Sequence, residues 1–115
     1  MRLIMLICFL VSSLLAADIV DFHIKKGTQR GAWNDSKGEL VLKVGQTLRI
    51  HNDDTIRHRL HTNGRPCSHG PNIEPGKIWD CKLTKEYNAK EHGPVYDHYV
   101  GRSARFWIKV SKEEL

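Results

Sequence analysis

The chain has 115 residues, with 18 basic and 13 acidic side chains and a formal net charge of +5. That length holds one domain and leaves little room for a second. The charge favours acidic partners or surfaces without identifying one. No basic-aromatic repeat accompanies it, so nucleic-acid binding is disfavoured.

Met1 to Ala17 reads as a secretory signal: Arg2, an almost unbroken apolar run from Leu3 to Leu15, then Ala16-Ala17. The run falls short of the ~20 residues that span a bilayer. Cleavage is expected after Ala17, with an uncleaved anchor as the alternative. The mature domain, residues 18–115, keeps 17 of the 18 basic residues and all 13 acidic ones, for a net +4. It is expected to be periplasmic or secreted, with no transmembrane segment. Cys8 leaves with the signal, so Cys67 and Cys81 remain. An even count in a small exported domain points to a disulfide. It would close a loop of about 15 residues and contribute ~3 kcal/mol on the chain-entropy account. The other reading is a pair of soft thiolate ligands for Cu(I) or Zn.

Short alternating runs follow in chain order. Val20, Phe22 and Ile24 alternate with polar residues, as do Leu40, Leu42 and Val44, then Leu48 and Ile50. Gly27 to Gly38 is polar and turn-rich and reads as a loop. After the Glu74-Pro75-Gly76 turn come Trp79, Cys81 and Leu83. Lys85 to Gly93 is a polar connector with room for one helical turn. Tyr96, His98 and Val100 form the next inward set, which turns Asp97 toward solvent. The last run is the clearest, with Ala104, Phe106, Ile108 and Val110 inward and Arg105, Trp107 and Lys109 outward. Period-two patterning repeated this often predicts an all-β chain, an antiparallel β-sandwich. Its core is small, with Phe22, Trp79 and Phe106 as the large inward side chains.

The chemistry lies in seven histidines: His23, His51, His58, His61, His69, His92 and His98. Imidazole suits copper, zinc, nickel and iron. Four of the seven, His58, His61, His69 and His98, fall in segments expected to meet at one end of the sandwich. His23, His51 and His92 read as solvated or edge residues.

The stretch Val44 to Thr62, VGQTLRIHNDDTIRHRLHT, resembles the first half of a copper site in the cupredoxin family. There one histidine follows a polar corner like Asn52-Asp53-Asp54. The resemblance extends through the Ile73 to Gly76 turn, the Tyr96 to His98 strand and the alternating last strand. It implies a cupredoxin-like Greek-key β-sandwich with copper as the cofactor, zinc being the other candidate. In the blue-copper pattern a cysteine follows two residues after such a tyrosine, then a histidine, and often a methionine. Here His98 takes the cysteine place, or Tyr96 or Asp97 in another register. Gly101 stands where a histidine would, and no methionine follows Met5. Type 1 copper depends on that thiolate, so the resemblance implies a histidine-rich, non-blue site. Its ligands would be His58 and His98, meeting at one point, completed by His61 or His69. Tyr96 and Asp97 would stand beside them to orient a ligand. Arg57, Arg59, Arg65, Arg102 and Arg105 flank this end and read either as a solvated sandwich end or as a rim suited to an acidic protein partner.

Three function classes remain. The first is a copper-binding module for storage, delivery or sensing, with electron transfer weakened by the missing thiolate. The second is a metal-free sandwich that binds a partner and uses its histidines structurally. An enzyme with histidine-bound copper ranks last, because no separate acid-base arrangement is visible.

Overall fold

A computed structural model describes residues 18–27, 33–34 and 37–112; the proposed signal segment, residues 1–17, lies outside them. The described elements are β1 (Ile19–Ile24), β2 (Leu40–Lys43), β3 (Thr47–Asn52), β4 (Ile78–Lys82), β5 (Tyr87–Asn88), α1 (Ala89–His92), β6 (Val95–Asp97), β7 (Gly101–Phe106) and β8 (Ile108–Ser111). The short α1 fills the connector where one helical turn was expected, and the Asn88 side chain caps it by accepting from Lys90 N. No helix among the described residues is long and apolar enough to cross a membrane.

The strands form two three-stranded sheets, β1-β3-β4 and β2-β8-β5, with β6-β7 as a separate ladder. The β1–β3 and β2–β8 pairs are parallel, whereas β3–β4, β5–β8 and β6–β7 are antiparallel. The all-β sandwich therefore has mixed sheets. A parallel pair needs a crossover connection. For β1 and β3 the crossover is β2, which lies in the other sheet.

Alternation decides what is buried. Leu48 and Ile50 of β3, Cys81 of β4, Leu42 of β2 and Phe106, Ile108 and Val110 of the last strands all join one core. The Phe22 ring meets the Phe106 ring with centroids 4.5 Å apart, joining β1 to β7 across that core. The last run keeps its expected phase but divides at Trp107. There the backbone leaves the ladder and bonds elsewhere: Trp107 N–H donates to Asn34 Oδ1, and its carbonyl accepts from Asn34 Nδ2 and Leu40 N. The division lets β7 pair with β6 while β8 pairs with β2 and β5.

The β6 strand differs from expectation in frame. Val95 and Asp97 are buried, and His98 is exposed. Tyr96 and His98 therefore do not face the core as the alternation of aromatic residues implied. A one-residue change of frame exchanges the two faces of a strand. The pull that sets this frame is electrostatic and comes from His58, described below.

Cys67 and Cys81 are bonded to each other and buried. The bridge ties the loop that carries His69 to β4. Gly70 lets that loop lie flat, because a Cβ there would stand 3.1 Å from both the Leu60 carbonyl oxygen and the Trp79 ring. Replacing both cysteines with alanine should lower unfolding stability by ~3 kcal/mol on the chain-entropy account. Denaturant titration reads that loss. Two alkylatable thiols in the freshly isolated wild-type protein would count against the bridge.

Candidate functional site

The polar corner after β3 folds around its own side chains. Asn52 Nδ2 donates to the carbonyls of Ile56 (2.9 Å) and Ile73 (2.7 Å), and Asn52 Oδ1 accepts from Asp54 N (2.9 Å). Asp54 is thereby turned inward. Its Oδ1 accepts from Thr55 N (2.7 Å) and Gly27 N (3.1 Å), leaving Oδ2 2.9 Å from His58 Nε2. On the other side of the ring, His58 Nδ1 meets Asp97 Oδ2. The second Asp97 oxygen accepts from Tyr99 N (2.6 Å) and Val100 N (3.1 Å). All three ionisable side chains are fully buried. Trp33 stands edge-on to the imidazole, with centroids 5.2 Å apart.

Both ring nitrogens of His58 face carboxylate oxygens, which can only accept when ionised. A neutral imidazole has one N–H and satisfies one of them; the cation satisfies both. Four backbone N–H groups hold the remaining carboxylate oxygens. Burial, the largest influence on His58, disfavours the cation. The bonds and charges of Asp97 and Asp54 together outweigh it and raise the pKa above the usual histidine range. Burial also opposes ionisation of Asp54. The Gly27 and Thr55 N–H bonds and the His58 cation outweigh it and hold the carboxyl below its usual range.

These shifts fix the pH dependence. The His58 contribution to stability is complete below the unfolded histidine pKa and is lost as pH rises through the raised folded value. The Asp54 contribution is present above its unfolded pKa and is lost as pH falls through the depressed folded value. Urea midpoints measured across pH should therefore fall on both the alkaline and the acid side of a central maximum. A midpoint that climbs steadily as pH rises past the histidine range would contradict the buried cation. Asp97→Ala, which removes one partner of a buried pair, should cost ~3–5 kcal/mol, read by the same titration.

A second histidine group lies on the opposite face of the same chain segments. Leu60 bridges to Asp97, His61 N donates to the Tyr96 carbonyl (2.9 Å), and His98 N donates to the Arg59 carbonyl (2.8 Å). Alternation then puts His58 and Asp97 inside and His61 and His98 outside. His61 Nδ1 stands 2.8 Å from His98 Nε2. The His69 ring centroid lies 5.2 Å from that of His98 and 6.0 Å from that of His61, and the His61 and His98 centroids are 4.6 Å apart. The three rings are mutually steep, at 71° to 89°. Tyr96 stacks on His61 at 4.7 Å and backs it.

Two of these spacings, 4.6 and 5.2 Å, are those of ligands on one ion, and the 6.0 Å His61–His69 separation is wider. With metal–nitrogen bonds of ~2.0 Å, two ligands at a right angle have nitrogens ~2.8 Å apart. Ring centroids then stand about 4.4 Å apart at a right angle and about 5.1 Å at the tetrahedral angle. Among the described residues, no three such side chains already hold their donor atoms in coordinating positions. An ion would have to draw His69 inward by side-chain rotation, which its exposure permits. Burial, and then the charges of His61, Arg59 and His69, lower the His98 pKa. That leaves its ring neutral and able to donate a lone pair.

Solved structures of amicyanin share this architecture. A reduced tryptophan-to-tyrosine mutant of amicyanin superposes with a TM-score of 0.58 at 17% identity, covering 86% of this chain and 88% of that one. The Cu(I) forms of a methionine-to-alanine and a methionine-to-glutamine mutant give TM-scores of 0.58 and 0.59 at 17% and 16% identity, each covering 88% of this chain and 90% of the other. The fold is cupredoxin-like. No protein-family profile and no curated protein sequence matches the chain. Identity this low carries the fold and not the site.

Within the cupredoxin-like frame, the four candidate ligands separate. The structure brings His61, His69 and His98 together and sets His58 apart, sealed between two aspartates. Asp97, expected at the surface, is buried as the partner of His58. Asp54 is the residue that sequence reasoning did not assign to the site. Its signal was its place in the polar corner, four residues ahead of His58. Around the trio, Arg57 lies 4.4 Å over the Tyr99 ring, and Arg59 Nε donates to the Gly70 carbonyl (2.8 Å). The other histidines lie elsewhere. His23 and His51 stack with centroids 4.1 Å apart and pair with Asp53 and Asp21, and His92 stands beside Glu91.

Proposed function

We propose that the protein is an exported copper-binding module whose ion rests on His61, His69 and His98. The observation that carries this reading is the trio itself: three imidazoles with centroids 4.6 to 6.0 Å apart on a solvent-facing surface. Nitrogen ligands of this kind suit Cu(II), with Zn(II) as the competing ion. The ligand set lacks the thiolate on which type 1 electron-transfer copper depends. An exposed ion can be exchanged, which fits storage, delivery or sensing better than fast electron transfer. The N-terminal apolar segment and the Cys67–Cys81 bridge support export, since disulfides persist in oxidising compartments. The Arg57 and Arg59 rim beside His98 fits an acidic partner that receives or supplies the ion.

His61→Ala and His98→Ala should each weaken Cu(II) binding at least tenfold, ~1.4 kcal/mol. His23→Ala and His92→Ala should leave it unchanged. Isothermal titration of the full mature chain, freed of purification tags, measures both. The Cu(II) spectrum should lack an intense charge-transfer band. If His61→Ala and His98→Ala bind copper as tightly as the parent, the trio is not the site. If the wild-type chain takes up no metal, the weight moves to a metal-free sandwich that binds a partner.

A further inference from the structure

We infer that the buried Asp54–His58–Asp97 triad replaces a metal ion at the first-histidine position of this fold, the imidazolium cross-linking the segments an ion would join and closing the position to metal. His58 is the residue that follows the polar corner, where the cupredoxin resemblance puts the first copper ligand. Asp97 is one of the register positions available to the family's cysteine. The two side chains meet directly, His58 Nδ1 against Asp97 Oδ2. No space for an ion separates these atoms, and both ring nitrogens of His58 already face carboxylate oxygens.

The cross-link joins distant parts of the chain. Asp54 ties the β1–loop junction through Gly27 N and the corner through Thr55 N. His58 ties the 73 region through a reciprocal backbone bridge, in which its N–H donates to the Ile73 carbonyl (3.1 Å) and its own carbonyl accepts from Ile73 N (2.7 Å). Asp97 ties β6 to the turn at Tyr99 and Val100. An ion with ligands on the same segments would connect the same set. The proton does so with one cation between two anions, and the surplus negative charge is met by the backbone donors. For a metal to enter, His58 must surrender a proton that two carboxylates hold, and metal must then compete with that proton. Full burial of all three side chains removes the direct approach as well.

The inference is separable from the proposed surface site, since it concerns other residues. The test is nitrogen-detected NMR of the histidine rings in the mature chain, with Zn(II) as a diamagnetic probe. Without metal, His58 should show both ring nitrogens protonated at neutral pH, with slowly exchanging N–H signals coupled to the two aspartates. Excess Zn(II) should leave those two signals in place. Shifts confined to the His61, His69 and His98 rings, or no shift anywhere, both agree with a closed interior position; the second outcome removes the surface site alone. A single unprotonated ring nitrogen on His58 before metal is added would overturn the inference. So would the loss of either His58 N–H on adding Zn(II). Asp97→Asn provides the control: it removes one charge while keeping the shape, and His58 should then lose its doubly protonated signature at neutral pH. Retention of that signature in Asp97→Asn would show that Asp97 does not hold the proton, and would also overturn the inference.

Discussion

A buried cation between two anions organises this end of the domain. His58 can satisfy Asp54 and Asp97 together only as an imidazolium, and no water reaches the three side chains. Low local polarisability strengthens such contacts and makes an unpaired member costly. The corner after β3, the residues around Ile73 and the strand β6 are therefore fixed relative to one another by a single group. The frame of β6 follows directly. Asp97 turns in to meet the cation, so Tyr96 and His98 turn out. The outward placement of His61 and His98 is a consequence of the buried pair.

The rest of the fold supports that arrangement with modest means. The core is formed mainly by Leu, Ile and Val side chains around the Phe22–Phe106 contact, with Trp33, Trp79 and Tyr87 packed at its margin. The Cys67–Cys81 bridge adds a covalent tie where apolar volume is limited. It also holds the loop bearing His69 against β4, while Gly70 lets that loop approach Leu60 and Trp79. Two of the three trio histidines thus depend on the inner triad for placement, and the third depends on the disulfide.

The outer face of the β1–β3 sheet uses charge differently. His23 and His51 are register partners, stacked and each paired with an aspartate in a diagonal arrangement. Arg49 and Asp80 add a bidentate ion pair on the same sheet. These groups are partly exposed, so solvent screens them and they contribute little to stability. The same residue types that fix the interior at His58 decorate the surface here, and burial is what separates the two cases.

The sequence alone determined the all-β class and the phase of most strands, because period-two alternation is imposed wherever one face of a strand is buried. It determined which side chains face inward from Ala104 to Val110, though not the break at Trp107, and it favoured a Cys67–Cys81 bridge over a thiolate ligand pair, because only two cysteines follow the apolar N-terminal segment. It also grouped His61, His69 and His98 at one end of the sandwich, but together with His58, which the structure sets apart between two aspartates. It did not determine the frame of β6 or the role of His58. By side-chain type, Tyr96 and His98 are better core candidates than Asp97, and local pattern follows side-chain type. The opposite frame prevails because a histidine 39 residues away supplies a charge that repays burial of the aspartate. Asp54 faces inward for the same reason, helped by Asn52 and by Gly27, 27 residues before it. Such pairings exist only once the sheets are packed, and so only the tertiary structure decides which histidine is sealed and which are left to face solvent.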